Sequence, residues 1–136
     1  MTIAPATLAE LKRRARDAAG RAYAPYSRFR VGAAVLTADG TIHAGGNVEN
    51  ASYGLSICAE RAAIFQAVAQ GARKVEAVVV YTPTPAAATP CGACRQVIRE
   101  FGPDALVVCC TDDERTERRY TLAELLPAAF GPDQLA

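Results

Sequence analysis

Cys58-Ala59-Glu60 and Pro90-Cys91-Gly92-Ala93-Cys94 hold three thiols and a carboxylate in two short clusters. Thiols in this pattern suit one zinc ion per chain. A structural zinc site closes its tetrahedron with four protein ligands, whereas a catalytic one keeps three and leaves the fourth position for water. Three cysteines therefore favour catalysis over a closed zinc knot, whose fourth ligand would have to come from elsewhere; the only histidine, His43, falls in a predicted strand. Glu60, two residues beyond Cys58, is placed to relay protons rather than to bind metal. Taken alone it reads equally as a carboxylate favoured at a helix start. Three thiolates also leave a divalent ion with net negative charge. Arg61, three residues after Cys58, could add a charge-assisted bond to a sulfur and offset that excess; its ordinary alternative is a surface ion pair.

The elements that must position these groups follow from periodicity. Leu8, Leu11, Ala15, Ala18 and Ala22 recur at helical spacing, and Thr7-Leu8-Ala9-Glu10 reads as a capping box, so a first helix is predicted from about Leu8 to Ala22. Val31 to Thr37 and Thr41 to Gly46 flank Ala38-Asp39-Gly40, a hairpin signal. Asn47 and Glu49 follow two residues apart, on one side of an extended chain. Cys58 to about Gln70 is helix-compatible, with Gly71 placed to end it. Val75 to Tyr81 is a nearly continuous apolar strand, suited to burial on both faces. An irregular loop over Thr82 to Pro90 leads to a helix over Cys91 to Phe101 and a strand over Ala105 to Thr111, where Cys109 and Cys110 read as plain packing. Asp112 to Arg119 is a charged turn region with room for a last short strand, and Thr121-Leu122-Ala123-Glu124 repeats the capping-box pattern before a short final helix. Strands alternating with helices after a hairpin imply an α/β fold: a three-layer helix/sheet/helix sandwich with a mixed sheet of about five strands.

At 136 residues the chain, 1–136, reads as one domain. Fifteen basic and fourteen acidic side chains give a net charge of +1, which provides no field for gripping a polyanion, so no nucleic acid partner is expected. No apolar run approaches the ~20 residues needed to cross a bilayer, so no membrane span is expected. The opening residues lack a basic stretch followed by a long apolar one, which points to the cytoplasm and reduced thiols.

Four ordered blocks carry a resemblance: Tyr26-Ser27-Arg28-Phe29-Arg30-Val31-Gly32-Ala33-Ala34, Gly46-Asn47-Val48-Glu49-Asn50-Ala51-Ser52-Tyr53, Cys58-Ala59-Glu60-Arg61 and Pro90-Cys91-Gly92-Ala93-Cys94-Arg95-Gln96. Together they resemble the cytidine and deoxycytidylate deaminase family, whose general signature is H-x-E with P-C-x-x-C. Cys58 stands where many members carry His, which looks like the small, all-cysteine cytidine deaminases. The resemblance implies a cytidine deaminase-like fold and zinc-dependent hydrolysis of cytidine and 2′-deoxycytidine to uridine and 2′-deoxyuridine, as in pyrimidine salvage. Cys58, Cys91 and Cys94 would hold the metal, Glu60 would shuttle protons, and Arg61 would tune the charge of the zinc site. Phe29 resembles the aromatic that packs on the pyrimidine, and Asn47 and Glu49 resemble the pair that binds the ribose hydroxyls. Ala59 and Tyr53 fall in the matched pocket segments. Phe130 matches an aromatic supplied by a neighbouring subunit, which implies a homotetramer with shared active sites. The alternatives are a deaminase of a modified cytosine nucleoside such as blasticidin S, and a non-catalytic zinc module.

Overall fold

Alternate side chains of the third strand leave the sheet in opposite directions, and each set meets helix. A computed structural model describes residues 2–135 of the chain. Its elements run α1 Pro5–Gly20, β1 Gly32–Thr37, β2 Ile42–Gly46, α2 Ala59–Ala69, β3 Val75–Tyr81, α3 Gly92–Phe101, β4 Leu106–Cys110, β5 Arg118–Thr121 and α4 Leu122–Leu125. The five strands form one sheet in the order β2-β1-β3-β4-β5. β3 and β4 are parallel, in register from Ala77 opposite Leu106 to Tyr81 opposite Cys110, and the other pairs are antiparallel. This is the predicted mixed five-stranded sheet.

Val78 and Val80 pack with Ala33 and Val35 of β1 against Ala63, Ile64 and Ala67 of α2 and Ile98 of α3. Ala77, Val79 and Tyr81 pack with Ala34 and Leu36 against Leu8, Leu11, Ala15 and Ala19 of α1. The period-two alternation of strands thus sorts side chains into the two interfaces of a helix/sheet/helix sandwich. A fully buried Ile or Val side chain contributes about 1.5–3 kcal/mol relative to exposure. Cys109 and Cys110 are both buried in β4 and point into different clusters, Cys109 beside Leu125 and Cys110 beside Tyr81.

Two glycines set the spacing of the layers. A Cβ on Gly32 would lie 1.8 Å from the Ala15 carbonyl oxygen of α1, and one on Gly45 would lie 2.8 Å from the Ala63 nitrogen of α2. Only glycine permits either approach, and the second seats α2 directly on β2.

The start of α1 differs from the sequence reading. The helix begins at Pro5 with Ala4 as its cap residue and without a side-chain cap bond, and it ends at Gly20. Proline is pre-set for the first helical position and lacks an N–H that would in any case be unpaired there, so Thr7 lies inside the first turn rather than before it. The second capping box is present as read: Thr121 Oγ1 accepts from Glu124 N–H at 3.2 Å, and Glu124 Oε1 accepts from Thr121 N–H at 2.8 Å. Gly71, at φ +100°, follows the end of α2 as expected, and the charged turn region contains both a 3₁₀ turn, Glu114–Thr116, and β5.

Candidate active site

Cys58 is the cap residue of α2 and Cys91 the cap residue of α3, while Cys94 lies one turn into α3. α2 leads into β3 and α3 follows it, so both helix starts lie near the carboxyl end of β3, where ligand crevices of α/β sheets form. Free N–H groups and the positive end of the helix dipole favour a thiolate at such positions. The three Sγ atoms lie within 4.8 Å of one another, and Cys58 and Cys91 are 3.8 Å apart. Zinc–sulfur bonds of about 2.3 Å in tetrahedral geometry place two sulfurs about 3.8 Å apart, so the donor set fits one zinc ion. Among the described residues, the cluster contains these three cysteines and does not include His43. The imidazole of His43 instead lies 3.2 Å from Thr41 Oγ1, on β2.

Arg61 Nη2 donates to Cys58 Sγ at 3.3 Å, as the spacing in the first turn of α2 suggested, while its buried Nε has no hydrogen-bond partner. A bond from Cys94 and the guanidinium of Arg61 hold Cys58 below the usual thiol range; the same bond to Cys58, with burial, pushes Cys94 up. The Glu60 side chain is one helical step from these groups, in a residue only 4% exposed. Burial, aided by the negative charge of Cys58, raises its carboxyl to about 7. A carboxyl in that range can both take and give a proton near neutral pH.

These groups open into a cavity of about 250 Å³ whose walls include Phe29, Asn47, Glu49, Cys58, Ala59 and Glu60. Asn47 and Glu49 therefore do share one side of the chain, as their spacing predicted. They are also structural. Asn47 Oδ1 accepts from Val31 N–H at 2.8 Å and its Nδ2 donates to the Phe29 carbonyl at 2.9 Å. Glu49 Oε1 accepts from the N–H groups of Tyr26 and Ser27 at 2.9 and 3.1 Å, and Ser27 Oγ donates to Oε2. Both side chains thus fasten the loop that presents Phe29. These three contacts explain why the Glu49 carboxyl lies below its ordinary range, the Ser27 hydroxyl being the largest cause.

Two sequence candidates do not reach the cavity of their own chain. Tyr53 is 77% exposed and lines a neighbouring recess with Tyr26, Ser27, Glu49 and Ser56; its ring centroid is 6.0 Å from that of Tyr26. Phe130 is 56% exposed and lies outside the cavity wall, its carbonyl accepting from Gln96 Nε2 at 3.0 Å. Conversely, Ser56, Ile57, Thr82, Ala88 and Thr89 line the cavity although the sequence reading did not single them out. A signal for some of them was present. Residues immediately before a helix start that carries a ligand, such as Ile57 and Thr89, must wall the space into which that start points.

The family model described as the cytidine and deoxycytidylate deaminase zinc-binding region matches residues 6–110. A cytidine deaminase of Sporosarcina psychrophila is 47% identical over 116 residues, 85% of this chain and 85% of that protein. One from Halalkalibacterium halodurans is 47% identical over 114 residues, covering 84% of this chain and 86% of its own length. The crystal structure of cytidine deaminase from Burkholderia pseudomallei superposes with a TM-score of 0.85 at 47% identity, covering 90% of this chain and 98% of that one.

Proposed function

The chain belongs to the cytidine and deoxycytidylate deaminase family, and from that premise we propose that it hydrolyses cytidine and 2′-deoxycytidine to uridine and 2′-deoxyuridine with release of ammonia. The observation that carries the reading is the convergence of three sulfurs within 4.8 Å of one another beside a cavity that Cys58, Cys91 and the buried Glu60 wall. Cys58, Cys91 and Cys94 would hold one zinc per chain, and the bound ion would make water a nucleophile near neutral pH. Glu60 takes a proton from the attacking water, delivers it to N3 of the pyrimidine, and later helps to protonate the departing amine. Its burial keeps bulk water from competing for that proton, and Arg61 offsets the thiolate charge through Cys58.

Phe29 packs on the pyrimidine ring, Ala59 forms the floor beside Glu60, and Asn47 and Glu49 bind the sugar hydroxyls. Acceptor capacity remains on the Glu49 carboxylate even with its loop contacts, since two oxygens offer about four lone-pair sites. Phe130, exposed on its own chain, closes the cavity of an adjacent subunit in a homotetramer. Tyr53, in the recess beside Glu49, meets the substrate only from that side. The chain works as one domain, in the cytoplasm, in the recovery of free pyrimidine nucleosides.

Incubating the zinc-loaded protein with cytidine, 2′-deoxycytidine, cytosine, adenosine and blasticidin S, and following ammonia release, tests the assignment. Release from the first two alone is the expected result. Turnover of blasticidin S without turnover of cytidine, or no turnover of any, refutes it.

A further inference from the structure

The loop between β3 and α3 walls the cavity through Thr82, Ala88 and Thr89 and runs directly into the helix start that carries Cys91 and Cys94. It has few fastenings. Thr82 N–H donates to the Cys110 carbonyl at 3.1 Å where the loop leaves the sheet, and Thr84 Oγ1 bonds within the loop, to Thr82 Oγ1 and the Ala86 carbonyl. Among the described residues, the hydrogen bonds that reach residues 87–90 from outside the loop come from one side chain, Arg95. Its Nε donates to the Pro90 carbonyl at 2.8 Å, its Nη2 to Thr89 Oγ1 at 3.2 Å, and its Nη1 to the Leu125 carbonyl at 2.9 Å. The backbone N–H of Arg95 also donates to the Cys91 carbonyl at 3.0 Å. Proline has no N–H of its own to fasten, so the Pro90 carbonyl and the Thr89 hydroxyl are the handles by which this wall is held.

We propose that Arg95 is a positioning residue for the deamination: its guanidinium clamps the Thr89–Pro90 wall against the start of α3 and the end of α4, fixing that wall relative to the cysteines. The inference rests on the deamination reading of the cavity. The wall lies at the Cys91 end, whereas Glu49 and Ser56 border the recess at the other end. Displacing it therefore falls on the reacting groups more than on the sugar. A misplacement of about 1 Å at a reacting centre costs on the order of 10²-fold in rate. Lysine replaces the clamp only in part, because its ammonium is a single point donor on a flexible stem, whereas the planar fork of arginine meets three acceptors at once.

The test compares zinc-loaded parent, Arg95→Ala and Arg95→Lys for zinc content, steady-state kinetics on cytidine, and amide hydrogen exchange without substrate. Arg95→Ala should keep one zinc per chain, lose about 10- to 100-fold in kcat and change KM by less than about threefold. Exchange should rise in peptides covering residues 83–91, while the amides of β3 and β4 stay protected; Arg95→Lys should recover part of kcat. A parental kcat in zinc-loaded Arg95→Ala, or exchange rising evenly through α3 and the strands, overturns the positioning role. If Arg95→Ala does not fold, a parental kcat in Arg95→Lys overturns it and a lowered kcat with local exchange supports it. Should the parent itself leave cytidine untouched, the reaction assignment fails, and the exchange comparison still decides whether Arg95 holds the wall.

Discussion

Glu60→Gln should make the metal-free protein more stable above neutral pH while removing most of the activity of the zinc-loaded protein. The Glu60 carboxyl titrates near 4.5 when solvated and is raised to about 7 in the fold, chiefly by burial. Between those values the folded state holds a proton that the unfolded state has released, so stability falls as pH rises through this window and levels off above it. A displacement of that size corresponds to about 3 kcal/mol at 1.36 kcal/mol per pH unit, and a residue that is 4% exposed needs no discount for solvent screening. Glutamine keeps the shape and has no such titration. Urea unfolding of both zinc-free proteins at pH 5 and pH 8 isolates the effect, since titrating groups not coupled to Glu60 cancel in the difference and the coupled Cys58 is a smaller cause than burial. About 0.8 kcal/mol of the effect is already present at pH 5, so the stability gained by the substitution should be about 2.5 kcal/mol larger at pH 8 than at pH 5. In the zinc-loaded protein the same change should lower turnover of cytidine by at least ~10²-fold, because an amide cannot relay a proton. A gain independent of pH would refute the buried-carboxyl argument, and near-parental turnover would refute the proton relay.

Cys91→Ala should bind well under one zinc per chain and lose deamination, since two thiolates do not make the three-ligand site; metal analysis of the dialysed protein checks it. Arg61→Ala should keep its fold and lower zinc affinity or turnover by about 10- to 100-fold, the usual effect of removing a group that steadies a ligand. Parental values in chelator competition and in rate would return Arg61 to a packing role. For Phe130, equal amounts of Glu60→Ala and Phe130→Ala chains, each nearly inactive alone, should regain activity at about one site in four when refolded together. Verified mixed oligomers without regained activity would place Phe130 in its own chain.

The groups to which the chemistry is assigned stand out in the sequence because they are chemically scarce and sit at helix starts. Cys58, Glu60, Cys91 and Cys94 needed only residue type and spacing, and Val75–Tyr81 needed only its apolar run. The bounds of α1 were not readable from the apparent capping box, because Pro5 supplied a competing start three residues before Leu8. The cavity walls were harder for a different reason. Thr82, Ala88 and Thr89 are ordinary residues in a loop without periodicity, and they become walls only when β3 and α3 bring their ends together. Nor does spacing reveal what Arg95 does: its partners Pro90 and Leu125 are main-chain carbonyls, which carry no residue type to read. The exposure of Tyr53 and Phe130 is likewise a property of the folded surface rather than of the motifs that contain them.

The two ends of the cavity are built so differently that they should tolerate change differently. At the reacting end the side chains hang from the first turns of α2 and α3 and, among the described residues, hold no neighbouring loop through the carboxylate of Glu60 or the thiols. At the other end Asn47 and Glu49 hold the backbone of residues 26–31, including Arg28 in the left-handed region at φ 59°. A non-glycine residue there costs on the order of 1 kcal/mol or more, and persists because surrounding contacts over-determine it. Replacing Asn47 would leave the Val31 N–H and the Phe29 carbonyl without their partner, at roughly 1–3 kcal/mol for each group that stays buried, and would release Phe29 from the pocket. If these positions bind the sugar as proposed, losing that contact is inseparable from displacing Phe29. Ser56 and Ile57 border the same end without holding that loop, although Ser56 Oγ accepts from Asn50 N–H and Ile57 pairs through its backbone with Val48. Neither residue hydrogen-bonds to residues 26–31, so an apolar replacement at Ile57 should reshape the cavity wall without loosening Phe29.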